Sequence, residues 1–254
     1  MLRALPLLLL VGCDRLGVVD SLTDPVVAQG IFVGVDVPAI YAEELANAEG
    51  FPYTAVCNVF LASVSDPSAL AEAPVAGATL RLRSSANGAL TFREVTDEPG
   101  KYTLDATDGL VYEPGDDVIV TFEHEGSEAR LAVLAPEAPS IEVPGAVDRD
   151  SAVDVDLSDY RYDNAVGATY DLDRSRLWWD NLPASVDDVY AFTHAEGPVD
   201  GIELPREAFP RVGTYVVGVA GMEVADPVGF EGVNTTLSAF VAGRLSVRVT
   251  AVTD

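Results

Sequence analysis

Few residues in this chain could do chemistry, and most of them are acidic. Its 254 residues include two cysteines, Cys13 and Cys57, and two histidines, His124 and His194. A zinc site takes about four ligands, and neither histidine is followed by a second histidine or a cysteine at close helical or loop spacing. Both stand beside glycine, in His124-Glu125-Gly126 and His194-Ala195-Glu196-Gly197, and read as exposed residues at a strand end or turn. No Gly-x-Ser-x-Gly elbow and no glycine-rich phosphate loop occurs. Glycoside hydrolysis needs only a pair of carboxylates, but among 41 acidic residues such a pair has no specificity. Two patterns remain. Asp154-Val155-Asp156 and Asp171-Leu172-Asp173 each put two carboxylates on one side of an extended strand, which suits the all-oxygen coordination of calcium. An EF-hand is not met, because Asp159 stands where its loop needs glycine and Ala165 where it needs glutamate. Simple solvated aspartates are the plainer reading. The second pattern is aromatic: Tyr160, Tyr162, Tyr170, Trp178 and Trp179 could offer flat rings to a sugar. Adjacent tryptophans in a strand point to opposite faces, so at most one of Trp178 and Trp179 can belong to a core.

Cys13 has a more specific setting. It closes Leu10-Val11-Gly12-Cys13, after Met1, Arg3 and an apolar run from Ala4 to Val11. That run falls well short of the roughly 20 residues of a membrane span. It fits the apolar region of a signal peptide, about 7–15 residues long. The order resembles the signal peptide and lipobox of bacterial lipoproteins. The resemblance implies diacylglycerol transfer to the Cys13 thiol, cleavage before it and acylation of the new amino terminus. Residues 1–12 are then a lipoprotein signal peptide, and the protein is expected in the cell envelope, held to a membrane by lipid. Inner and outer membrane are not distinguished.

The elements that must carry these residues are read from composition and pattern. Net charge is −26, and Lys101 is the one lysine. Such a surface repels phosphate backbones, so nucleic acid is not an expected partner. It also repels anionic lipid, yet two or more acyl chains contribute roughly 0.8 kcal/mol per buried methylene, enough to hold it. A membrane reached through the anchor, and an envelope protein or polysaccharide, are the expected partners; no cofactor is called for. With Cys13 lipidated, Cys57 has no intramolecular partner, and in Ala55-Val56-Cys57-Asn58-Val59-Phe60 it reads as a small buried hydrophobe.

Residues 13–28 lack periodicity and read as a tether, reaching roughly 50 Å when extended. Strand patterns follow: Gln29–Asp36, Tyr53–Ser63, Ala78–Arg83, Leu90–Val95, Gly100–Leu104, Asp117–His124 and Ser127–Leu134. Asn87-Gly88 predicts a tight type I′ hairpin. Pro38–Asn47 and the residues after Asp66-Pro67 read as short helices. Residues 136–150, with Pro136, Pro139, Pro144 and Gly145, read as a linker. Beyond it come Asp156–Tyr160, Ala168–Trp179, Asp188–Thr193, Gly201–Leu204, Gly213–Val224 and Leu237–Val252. The predicted fold is all-β: two antiparallel β-sandwich domains in tandem, 29–135 and 151–254, with one or two short helices in the first.

Two stretches resemble known sandwiches. Pro74-Val75-Ala76-Gly77-Ala78-Thr79-Leu80 and Pro99-Gly100-Lys101-Tyr102-Thr103-Leu104 are similar to the adjacent-strand motifs of the carboxypeptidase-regulatory, transthyretin-like family of Ig-like domains. Leu177-Trp178-Trp179 followed by Val189-Tyr190-Ala191-Phe192 loosely resembles the B and C strands of fibronectin-III-like domains. The first resemblance implies an accessory or interaction role without catalysis. The expected function is a non-enzymatic adhesion, scaffold or binding module. The alternative is a carbohydrate- or calcium-binding accessory module that uses segment 154–180.

Overall fold

The computed structural model describes residues 26–36, 55–63, 74–124, 127–157, 162–171, 192–235 and 237–254. The leader, Cys13, the tether up to 25, and both predicted helices lie outside these residues.

The described chain is all-β, with three short 3-10 turns. Fifteen strands form it: β1 (Val26–Asp36), β2 (Ala55–Ser63), β3 (Thr79–Ser84), β4 (Gly88–Thr91), β5 (Arg93–Glu94), β6 (Lys101–Asp105), β7 (Asp117–His124), β8 (Ser127–Leu134), β9 (Ala146–Asp148), β10 (Val153–Asp156), β11 (Tyr162–Asp171), β12 (Phe192–Val199), β13 (Gly201–Leu204), β14 (Gly213–Val224) and β15 (Ala239–Thr253). A nine-stranded sheet has the order β12-β11-β14-β15-β1-β2-β6-β5, with β9 also on β15. A four-stranded sheet runs β4-β3-β7-β8, and among the described residues β10 and β13 form a two-stranded ribbon.

Side-chain parity explains how these layers pack. Phe240, Ala242 and Val252 share one parity on β15, and its register with β14 runs unbroken from Val241 to Val252. Phe240 and Ala242 belong to one buried cluster and Val252 to another. Two cores therefore form on a single face of the large sheet. The four-stranded sheet covers one end through Leu80, Leu82, Val118, Val120, Leu131 and their neighbours. The β10–β13 ribbon covers the other through Val153, Val155, Ile202 and Leu204. The opposite face of the large sheet is apolar and buried as well, at Val216, Val241, Leu245 and Val247. Burial on both sides is why β14 and β15 read as nearly continuous apolar runs.

Two cores were expected, but they are not separated as two tandem units would be. β1 pairs in parallel with β15 from Gln29↔Ala239 to Asp36↔Ser246, so the start and end of the described chain share the middle of one sheet. Ala225, Phe230, Val233, Phe240 and Ala242, all beyond the expected linker, line the first core.

Residues 136–150 lie against the sheet. Tyr112 Oη donates to the Pro136 carbonyl (2.8 Å), Tyr162 Oη to Glu137 (3.2 Å) and Thr250 Oγ1 to Pro144 (2.6 Å). Ser246 Oγ donates to Pro139 at 2.5 Å. β9 then joins β15 in parallel. Proline has no N–H to give, but its carbonyl is a full acceptor, so a proline-rich stretch can be held by hydroxyls.

Smaller differences have local causes. The Asn87-Gly88 hairpin forms, but Ser84 pairs with Gly88, so three residues make the loop and Gly88 takes φ 61. The Asp116 carboxylate sets that length by accepting from the Ser85 and Ala86 amides (both 3.1 Å) and from Ser85 Oγ. The strand predicted at 188–193 is β12, shifted to Phe192–Val199. Its pairing with β11 sets its bounds, where its polar sequence gives no periodic signal.

Candidate functional site

The acidic pattern lands on the β10–β13 ribbon. Val153 and Val155 face the second core, so Asp154 and Asp156 point outward and are exposed. Asp154 stands directly opposite Glu203, and Asp156 opposite Gly201. With Asp200 at the foot of β13, these carboxylates line a shallow open groove floored by Val155 and Ile202. Like charges directly across a ladder repel, so an approaching cation would relieve the pair Asp154–Glu203. Calcium takes about six to eight oxygens. Among the described residues no three acidic, histidine or cysteine side chains converge closely enough to hold a metal ion. The ribbon spreads its charge instead of focusing it. Asp171 ends β11 in the large sheet, apart from the ribbon, and Asp173 lies outside the described residues.

The aromatic pattern divides. Tyr160, Trp178 and Trp179 lie outside the described residues. Tyr162 is 1% exposed, so its ring has no free face for a sugar. A Cβ on Gly221 would sit 2.4 Å from that ring, so the glycine is what admits it.

The nucleophile candidates are equally quiet. Cys57 is a free, fully buried cysteine, and burial pushes its thiol far up from its ordinary range. It stays a neutral thiol. His124 ends β7 and is half-buried, opposite Ser127. His194 lies inside β12, opposite Val166, and not in a turn as expected.

The structure also brings together residues that sequence reasoning missed. On β15, Arg244 is paired with Gly34 of β1 on one side and Gly221 of β14 on the other. Tyr112 lies over Gly34, where an added Cβ would come within 2.4 Å of its ring. Tyr162 lies over Gly221 in the same way. The Arg244 guanidinium stands 5.7 Å over the Tyr112 ring and 3.4 Å from Asp36. Tyr112 also stacks on Phe32 at 4.7 Å. Burial, set against the nearby Arg244 charge, pushes the Tyr112 hydroxyl well above its ordinary range, so it stays a donor to Pro136. One tyrosine from each core thus pins residues 136–137 where the cores meet. The sequence signal was two glycines in otherwise apolar strands, which marks a close approach by another group.

The stretches Pro74–Leu80 and Pro99–Leu104, expected on adjacent strands, also meet, though not as neighbours. Leu80 belongs to the four-stranded sheet and Tyr102 to the nine-stranded one. Tyr102 Oη donates to the Val75 carbonyl and accepts from the Ala78 amide, both at 2.9 Å, which ties the motifs across the first core.

No protein-family model matches the chain, and no curated protein does. Among solved structures, the FN1–FN3 domains of chicken CNTN1 align over 91% of this chain at 9% identity, with a TM-score of 0.26. The alignment spans 64% of that chain. At that score the likeness carries no argument for arrangement or function. The class is set by the molecule itself: an all-β protein with two sandwich cores built on one shared sheet.

Proposed function

We propose that this protein is a lipid-anchored, non-enzymatic component of the cell envelope, whose β body serves as an adhesion, scaffold or binding module. The observation that carries the reading is Leu10-Val11-Gly12-Cys13 behind a short basic and apolar start. Buried Cys57 and the spread carboxylates of the ribbon are in keeping with a body that binds and does not catalyse. Labelled palmitate should enter the wild type and not Cys13→Ala; equal labelling of both sinks the anchor.

The accessory reading keeps one favourable observation, the outward carboxylates Asp154, Asp156 and Glu203 over an open groove. Calcium binding there would raise the melting temperature at millimolar calcium, and Asp154→Asn with Glu203→Gln would abolish the rise. A flat calorimetric titration disposes of it. Pull-down on envelope polysaccharide, with Trp178→Ala and Trp179→Ala as comparison, tests the sugar variant of the same reading.

A further inference from the structure

β1, the first strand among the described residues, does not lie at a sheet edge. It lies inside the nine-stranded sheet, between β15 and β2. Eight residue pairs join it in parallel to β15 and nine join it antiparallel to β2. Its beginning is fixed as well: Val26 O accepts from the Asn234 amide at 2.8 Å, and the Ala28 amide donates to Ser238 Oγ at 3.1 Å.

We propose that β1 is a force-bearing strand, which carries a pull on the chain ahead of Val26 in shear along both of its ladders. Ladder hydrogen bonds run across the strand direction, so an axial pull strains all of them together, whereas peeling an edge breaks them one by one. Side chains add an interlock. The Phe240 ring sits over Gly30, where a Cβ would come within 2.7 Å, and the Tyr112 ring sits over Gly34. Sliding β1 one residue toward Val26 turns its core side chains to the wrong face. Sliding it two residues drives Phe32 under the Phe240 ring and Asp36 under the Tyr112 ring, into sites too tight for a single methyl group. Because β15 is parallel to β1, a pull applied between the two ends of the described chain slides these strands past each other.

That such a pull occurs in the cell rests on the Cys13 anchor; the shear geometry does not, so the palmitate experiment and this one fail separately. The test is single-molecule stretching of the full chain. Handles at the two ends should give an unfolding force at least about two-fold higher than handles at Asn87 and the C-terminus, which peel the β3–β4 hairpin, since forced unfolding reads the barrier along the pulled direction. Phe240→Ala should lower the end-to-end force, while Leu82→Ala, matched to it in urea stability, should leave that force in place. Equal forces in the two geometries, or equal losses in the two variants, overturn the proposal. The geometry comparison holds even if a variant fails to fold.

Discussion

The two cores share one sheet but are closed very differently. The first is capped by four hydrogen-bonded strands and holds Phe32, Tyr102, Leu61, Leu80, Leu82, Leu104 and Leu131, all essentially without solvent contact. Among the described residues, the second is capped by a two-strand ribbon whose outward face is a row of carboxylates. A lone two-stranded ribbon is marginal in water. Here it is held by four inward aliphatic side chains, and by a sheet whose other half is anchored in the first core. The difference predicts a dependence: the second core should draw order from the sheet it shares with the first, and the acidic face lies on the ribbon that closes it.

Breaking the first core should therefore break both. Phe32→Ala removes a fully buried ring stacked on Tyr112 and should cost about 3–5 kcal/mol. Hydrogen exchange at Val217 amides of the second core should accelerate with that of the first in urea; separate transitions would show that the shared sheet does not couple them. In the other direction, Val155→Ala should cost about 2 kcal/mol, from lost burial at the ribbon. Exchange should then rise at Val155 and Ile202 while Leu82 and Val120 stay protected, and loss of protection in both cores would invert the order of dependence.

Asp116 sharpens the comparison from within the first core. Burial raises its pKa, but hydroxyl and amide donors from Ser84, Ser85 and Ala86 outweigh that and hold it below the ordinary carboxylate range. Its contribution is therefore complete above the unfolded value of about 3.9 and is lost as pH falls through the lower folded value. Asp116→Asn should cost about 1.5 kcal/mol at neutral pH and flatten the acid limb of the stability curve. Urea midpoints between neutral and acid pH check this; an unchanged acid limb removes Asp116 from the account. The smallest effect belongs to the junction. Tyr112→Phe and Tyr162→Phe should each cost about 1 kcal/mol by freeing a carbonyl of residues 136–137. Proteolysis within 136–145 should quicken in the double variant more than in either single one; no change would show that backbone packing alone holds the segment.

Much of the strand layout was legible. Asp117–His124, Ser127–Leu134, Gly201–Leu204 and Gly213–Val224 lie where alternation or apolar runs between turn residues put them. β12 was misplaced because Thr193, His194 and Glu196 hide its pairing. The shared sheet was not legible, since nothing near Gln29 announces a partner at Ala239. The proline-rich stretch misled for a physical reason: missing N–H groups speak against a central strand but say nothing of carbonyls that four hydroxyls can reach. Of the site residues, the outward Asp154 and Asp156 were readable from period two. The burial of Tyr162 was not, because it depends on the absent side chain of Gly221, on another strand.

The pairing of β1 with β15 also governs when this protein can fold. Ala28 and Ser238, joined by a hydrogen bond, stand 210 positions apart in the chain. Contacts of such separation form late and slowly, because a long loop must close before they stabilise anything. A chain emerging residue by residue thus holds β1 without its β15 partner until the 210 positions between Ala28 and Ser238 have been made.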